Sequence, residues 1–270
     1  MCELFAKSSR QPANVNLSLD TFADHGGRTG PHRDGWGIAY YEEGDIRLIK
    51  DTHQASSSVW VRFVEEQGLV SATVISHIRY ATTGHVALYN THPFSRELGG
   101  RMHVFAHNGV VDGAMGDSRF PLDAYHPVGS TDSEYVFCSL LARLSPLWNE
   151  ADGVPDLEER MDEVARFAGE LRGVGRANFL YADGDVLFAH SHIRHQDDGS
   201  TGIGLHMLSR TCGNEGIALS GGGVNVSTGD DNQAVTLLAS VPLTAEDWMP
   251  VDEGTVLALR DGAVVAQATA

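Results

Sequence analysis

Long apolar runs are missing from this chain, cysteine is scarce, and basic side chains are outnumbered almost two to one by acidic ones. Each shortage removes a class of function. No stretch approaches the roughly 18 consecutive apolar residues of a membrane-spanning helix. Met1-Cys2-Glu3 lacks the basic start and long apolar region of a secretory leader. The chain is therefore expected to be cytoplasmic, with no membrane partner. With 19 Lys and Arg against 36 Asp and Glu the net charge is −17, which repels phosphate backbones and makes nucleic acid an unsuitable partner. The 3 cysteines, Cys2, Cys138 and Cys212, are odd in number and far apart, so neither a disulfide framework nor a zinc site follows. The dinucleotide fingerprint is also absent: Gly202-Ile203-Gly204 and Gly221-Gly222-Gly223 are fragments that read as turns. There is no internal repeat, low-complexity tract or linker, so residues 1–270 read as a single domain, and a 42% apolar fraction is enough to fill its core.

What is present alternates between strand and helix patterns in blocks. Met1-Cys2 leads into the apolar run Glu3-Leu4-Phe5-Ala6, a strand. A weakly helical stretch from Asn16 to His25 runs into a loop of Gly and Pro. Trp36 to Tyr41 and Ile46 to Lys50 form a hairpin around Glu43-Gly44-Asp45. Ser56 to Ser58 cap a helix that carries Val59, Trp60, Phe63 and Val64 on one face and stops at Gly68. Ala72 to Tyr80 and Met102 to Val111 are strands apolar enough for the middle of a sheet. Thr131-Asp132-Ser133-Glu134 is a capping box opening an apolar helix that contains Cys138, a packing residue beside Phe137 and Leu140. A second helix begins at Asp156, with Leu157, Met161, Val164, Ala168 and Leu171 recurring at three- and four-residue steps. Beyond Gly175 come further strands, with Asp183-Gly184 and Asp261-Gly262 as tight turns. Strands, then helices, then strands again indicate an α+β layered fold rather than alternating βαβ units.

The chemistry centres on residue 2. Removal of Met1 leaves a cysteine bearing both a thiol and a free α-amine. A thiol attacks as thiolate, and an amine with a reference pKa of roughly 7.7 to 8.0 can take its proton near neutrality. His103 and His107 share a strand face but lack a third ligand at metal-binding spacing, so structural roles are expected for both.

Four stretches together resemble the class II glutamine amidotransferases, N-terminal-nucleophile hydrolases with a four-layer αββα fold. They are Met1-Cys2, Ser76-His77-Ile78-Arg79-Tyr80-Ala81-Thr82, His107-Asn108-Gly109 and Thr131-Asp132-Ser133-Glu134, with Asn90-Thr91-His92-Pro93-Phe94 between the second and third. Gly26 to Gly37 looks closest to the stand-alone, YafJ-like bacterial members. The resemblance implies that Cys2 is the nucleophile, with its α-amine as base. It implies that the Asn108 side-chain amide and the Gly109 backbone N–H form the oxyanion hole. Arg79, with backbone groups around Thr82 and Thr83, would hold the α-carboxylate of glutamine, Asp132 would hold its α-ammonium, and His92 would order the loop near Asn108. No cofactor is implied. The implied partners are glutamine or another γ-glutamyl compound, and a separately encoded synthase that accepts ammonia. Two alternatives stay open: a γ-glutamyl amide or peptide hydrolase like the ergothioneine-pathway enzyme, and a non-catalytic regulatory module that binds glutamine. Arg33-Asp34-Gly35-Trp36-Gly37 departs from the Arg-Gly-x-Asp-Ser-Ala-Gly of fused family members, so this loop has no role carried over.

Overall fold

The computed structural model describes residues 2–14, 16–82, 84–195, 200–212 and 233–270. In chain order the elements are β1 (Glu3–Ala13), α1 (Asn16–His25), β2 (Trp36–Glu42), β3 (Asp45–Asp51), α2 (Val59–Gln67), β4 (Ser71–Ile78), β5 (Phe94–Leu98) and β6 (Arg101–Val110). They continue with α3 (Asp132–Glu150), α4 (Leu157–Arg172), β7 (Arg176–Ala182), β8 (Leu187–His190), β9 (Ile193–His195) and β10 (Thr201–Ile203). The last are β11 (Leu205–Cys212), β12 (Gln233–Ala239), β13 (Met249–Val251), β14 (Thr255–Arg260) and β15 (Ala263–Thr269).

Two antiparallel sheets organise these strands. One runs β13-β11-β12-β1-β4-β2-β3, the other β15-β14-β8-β7-β6-β5, and β9 and β10 form a small ribbon. Alternation of side chains along each strand sorts the apolar residues into three layers. Phe5, Ile38, Val74 and Leu237 face outward under α1 and α2. Phe105, Phe179 and Phe188 face the opposite outer side, under Phe137, Leu140 and Leu144 of α3 and Val164 and Leu171 of α4. Between the sheets lie Leu4, Ala6, Ala39, Ile75, Ala106, Leu180, Ala182 and Ala189, where the alanines let the two backbones approach closely. Helix, sheet, sheet, helix is the four-layer αββα arrangement anticipated from the resemblance.

Local chemistry explains the boundaries. Thr131 Oγ1 accepts the Glu134 N–H at 3.2 Å and starts α3, and Asp156 Oδ1 accepts from Glu158 at 2.8 Å and starts α4. The two-residue turns Glu43-Gly44 and Asp261-Gly262 have φ of 51° and 84°, and of 52° and 76°, the doubly left-handed form that suits the twist of a hairpin. Asp183-Gly184 differs from expectation. Asp183 Oδ1 accepts from both Asp185 N and Val186 N, and this side-chain turn widens the link between β7 and β8. Gly202 and Ile203 belong to β10 rather than to a turn, while Gly221 to Gly223 lie outside the described residues. In α2 the buried stripe is Val61 and Val64; Val59, Trp60 and Phe63 face outward. The expected strand from Ala72 to Tyr80 ends at Ile78, which leaves Arg79 and Tyr80 in the loop at the sheet's edge.

Register then gathers the polar ends. Glu3 pairs with Ile78 and Phe5 with Ala239 in the first sheet; Asn108 pairs with Asn178 in the second. The start of β1 and the ends of β4, β6 and β12 thus meet at one end of the sandwich.

Candidate active site

Cys2 stands just ahead of β1, half-buried against Tyr80. Its thiol donates to the Tyr80 carbonyl at 3.2 Å, and its sulfur accepts the Tyr80 N–H at the same distance. Burial pushes the thiol's pKa up, while the Tyr80 N–H and the Arg79 guanidinium pull it back down by favouring the thiolate. Met1 lies outside the described residues, as does the environment of Cys212.

Asn108 arrives from the other sheet. Its Nδ2 donates to the Cys2 carbonyl at 2.6 Å and lies 3.4 Å from Ser240 Oγ. Ser240 Oγ in turn accepts the Leu4 N–H at 3.0 Å. Asn178 fixes the strand from behind, donating through Nδ2 to the Asn108 carbonyl at 3.2 Å and to Ile193 O at 2.9 Å, and accepting the His192 N–H at 2.7 Å. Gly109 has no room for a side chain: a Cβ there would sit 1.8 Å from Arg176 O. Its lack of a Cβ therefore has a packing cause.

Arg79 is 3% exposed, and its guanidinium donates to the carbonyls of His85 and Gly84, each at 3.3 Å. Its backbone is held by the loop that lacked an assigned role. Arg79 N donates to Gly35 O at 2.8 Å, Asp34 N donates to Arg79 O at 3.2 Å, and Asp34 Oδ2 accepts the Ala81 N–H at 2.8 Å. Gly35 adopts φ of 118°, a conformation that a Cβ would strain. Thr82 is exposed just beyond this clamp; Thr83 lies outside the described residues.

Asp132 is buried at the first position of α3. Its Oδ2 accepts the Val111 N–H at 2.7 Å and its Oδ1 accepts its neighbour Ser133 N–H at 2.9 Å, so the carboxylate ties the end of β6 to the helix. The cap itself is Thr131. His92 is buried with its ring 4.2 Å from His77 and 4.4 Å from Phe94, and no hydrogen bond joins it to Asn108 among the described residues. Burial holds both His77 and His92 well below the usual imidazole pKa, hence neutral. His107 packs against α3 instead, with Nδ1 2.9 Å from Ser133 Oγ and Nε2 3.0 Å from Arg176 O. His103 likewise spends both nitrogens, on Tyr181 and Leu98. Among the described residues no group of His, Cys, Asp and Glu is placed to hold a metal.

Cys2, Arg79, Asn108, Gly109 and Asp132 therefore occupy one end of the sandwich. Sequence reasoning missed Asp34, Asn178 and Ser240. Asp34 stood in a stretch already noted for its difference; the other two lie in segments with no motif at all.

Comparison with known proteins agrees with this geometry. The family model for class II glutamine amidotransferases matches residues 1–270. YafJ of Escherichia coli, a protein named as a glutamine amidotransferase, is 35% identical over 258 residues, 94% of this chain and 95% of that one. DUG3 of Saccharomyces cerevisiae, named likewise, is 28% identical and is matched over 91% of this chain and 74% of its own. The crystal structure of a predicted glutamine amidotransferase from Pseudomonas aeruginosa has a TM-score of 0.70 at 33% identity, covering 98% of this chain and all of that one. A more distant fold neighbour is the phosphoribosylpyrophosphate amidotransferase of Bacillus subtilis, at TM-score 0.62 and 15% identity, where the match covers 99% of this chain but 49% of the other. With the whole chain accounted for by one family model and by full-length relatives, this protein belongs to the class II glutamine amidotransferases.

Proposed function

We propose that the chain, once Met1 is removed, hydrolyses the side-chain amide of glutamine or of a related γ-glutamyl compound through a thioester on Cys2. The observation that carries this reading is the 2.6 Å contact between Asn108 Nδ2 and the Cys2 carbonyl, which brings a neutral hydrogen-bond donor from one sheet to the nucleophile residue of the other. In the proposed reaction the Cys2 α-amine takes the thiol proton and Sγ adds to the γ-carbonyl carbon. The second Asn108 Nδ2 hydrogen, now only loosely shared with Ser240, turns to the oxyanion together with the Gly109 N–H. The amine then departs with the proton, and water releases glutamate from the thioester.

Arg79 and Asp132 are proposed to read the α-carboxylate and α-ammonium of the γ-glutamyl head, aided by Thr82 and Thr83. Arg79 would exchange its contacts with the His85 and Gly84 carbonyls at 3.3 Å, long for a charged donor, for a bidentate carboxylate. His92, buried against His77, supports the same end of the sandwich. Ammonia would pass to a separately encoded synthase, and a cytoplasmic setting keeps the Cys2 thiol reduced.

The test is intact mass before and after exposure to a glutamine-mimicking diazoketone. Loss of Met1 and one stoichiometric adduct, absent in Cys2→Ala, is the expected result. Retained Met1 with no adduct would replace this reading by a glutamine-binding regulatory module.

A further inference from the structure

The ladder between β12 and β1 reaches Phe5 with Ala239, and the next rung, Leu4 with Ser240, is built differently. Ser240 N donates to Leu4 O at 3.0 Å in the ordinary way. The return bond runs to a side chain: Leu4 N donates to Ser240 Oγ at 3.0 Å, while the Ser240 carbonyl accepts from Arg194 Nη1 at 3.5 Å. A hydroxyl has thus taken the place of a ladder carbonyl on the rung that follows Cys2 and Glu3 in the chain. Leu238 faces the layer between the sheets and Ala239 the outer layer, so alternation turns the Ser240 side chain toward the second sheet. There its Oγ lies 3.4 Å from Asn108 Nδ2, and both residues are buried.

The two contacts of that amide nitrogen are unequal. Nδ2 meets Cys2 O at 2.6 Å and Ser240 Oγ at 3.4 Å, against a usual N–H···O range of about 2.7–3.2 Å. One hydrogen is firmly committed. The other is aimed but weakly held, because the hydroxyl it faces already accepts the Leu4 N–H. Asn108 Oδ1 has no hydrogen-bond partner among the described residues, so the plane of the amide is set from its nitrogen side, by Cys2 O and Ser240 Oγ. Both of these oxygens are tied to the start of β1.

We propose that Ser240 is a positioning residue for the oxyanion donor: its hydroxyl, pinned to the rung beside Cys2, aims the second Asn108 Nδ2 hydrogen until the oxyanion forms and then releases it. The proposal rests on the thioester reading above and goes beyond it by giving the orientation of Asn108 a cause. Ser240 makes and breaks no covalent bond; it acts through Asn108. A donor already oriented needs little reorganisation when charge develops, whereas one bound tightly to another acceptor would first have to be pulled away.

The experiment is a double-mutant cycle on glutamate release by the protein lacking Met1, from glutamine or, where glutamine is not turned over, from γ-glutamylethylamide, with kcat taken per folded molecule. Ser240→Ala should lower kcat about three- to tenfold, the worth of one hydrogen bond between neutral groups, and leave KM nearly unmoved. Ser240→Thr, which keeps the hydroxyl, should retain most of the turnover. In a chain that already carries Asn108→Ala, Ser240→Ala should change kcat by less than about twofold, since the two residues act as a unit. A serine that served the fold alone would cost the same in both backgrounds. That result, an unchanged kcat in Ser240→Ala, or a Thr variant as slow as the Ala one overturns the positioning role while leaving the thioester reading intact. No glutamate from either substrate removes both.

Discussion

The two ends of the sandwich treat buried polar groups differently. At the end away from Cys2, the fully buried Arg160 donates to Asp183 at 2.6 Å and to Asp185 at 2.8 Å, and Arg260 also reaches Asp185. Asp183 spends its other oxygen on two backbone N–H groups. At the Cys2 end, Asn108 Oδ1 and all four ring nitrogens of His77 and His92 are buried without a hydrogen-bond partner among the described residues. A buried polar atom left unmet costs about 1–3 kcal/mol. The first end is built for holding together, and the second keeps polar groups in readiness at a cost in stability, as functional sites commonly do.

Variants at the two ends should therefore fail in different ways. Asp183→Ala leaves Arg160 buried beside half its partners and should lower unfolding free energy by roughly 3–5 kcal/mol in a denaturant titration, with turnover per folded molecule little changed. Asn108→Ala should show the reverse pattern, a fall in kcat of about 10²–10³ with the Michaelis constant and the unfolding midpoint nearly unmoved. An effect on the Michaelis constant alone would contradict the oxyanion role.

Lys7 sharpens the contrast through pH. It is fully buried, donates to the carbonyls of Ala13 and Ser71, and burial pulls its pKa from 10.5 down to about 7. Between pH 7 and 10.5 the unfolded chain binds this proton and the folded chain does not, so stability should rise with pH across that window. The full gain is on the order of 5 kcal/mol, and Lys7→Met should flatten the rise. The smallest expected effect is at His77. His77→Phe removes two unmet nitrogens from the Cys2 end and should leave the unfolding free energy unchanged or about 1 kcal/mol higher. A large loss would mean that the imidazole has a structural duty there.

Much of this molecule was legible in its sequence where the signal is local. The caps at Thr131 and Asp156, the hairpin at Glu43-Gly44 and the apolar stripe of α4 each depend on residues a few positions apart. The stretches that meet around Cys2 were legible because four short motifs resemble one family. Sequence reasoning failed where partners come from far along the chain. Ser240 lies 132 residues from the Asn108 it approaches, and nothing near Ser240 announces that pairing. Gly204 illustrates the same limit. It read as part of a turn, yet a Cβ there would fall 1.7 Å from Asn178 Oδ1, so its glycine serves the close approach of an asparagine 26 positions earlier in the chain. The face of α2 was misjudged because Val59, Trp60 and Phe63 are apolar yet unburied, and periodicity cannot tell which apolar stripe a sheet will cover.

The alanines between the sheets have a consequence for the proposed reaction. Cys2 is carried by one sheet and Asn108 by the other, so the gap set by Ala6, Ala39, Ala106, Ala182 and Ala189 acts as the caliper of the proposed reaction centre. An added methyl group in that layer would touch no substrate, yet it would widen the jaws between thiol and amide, and the chemistry would register a change made in the core.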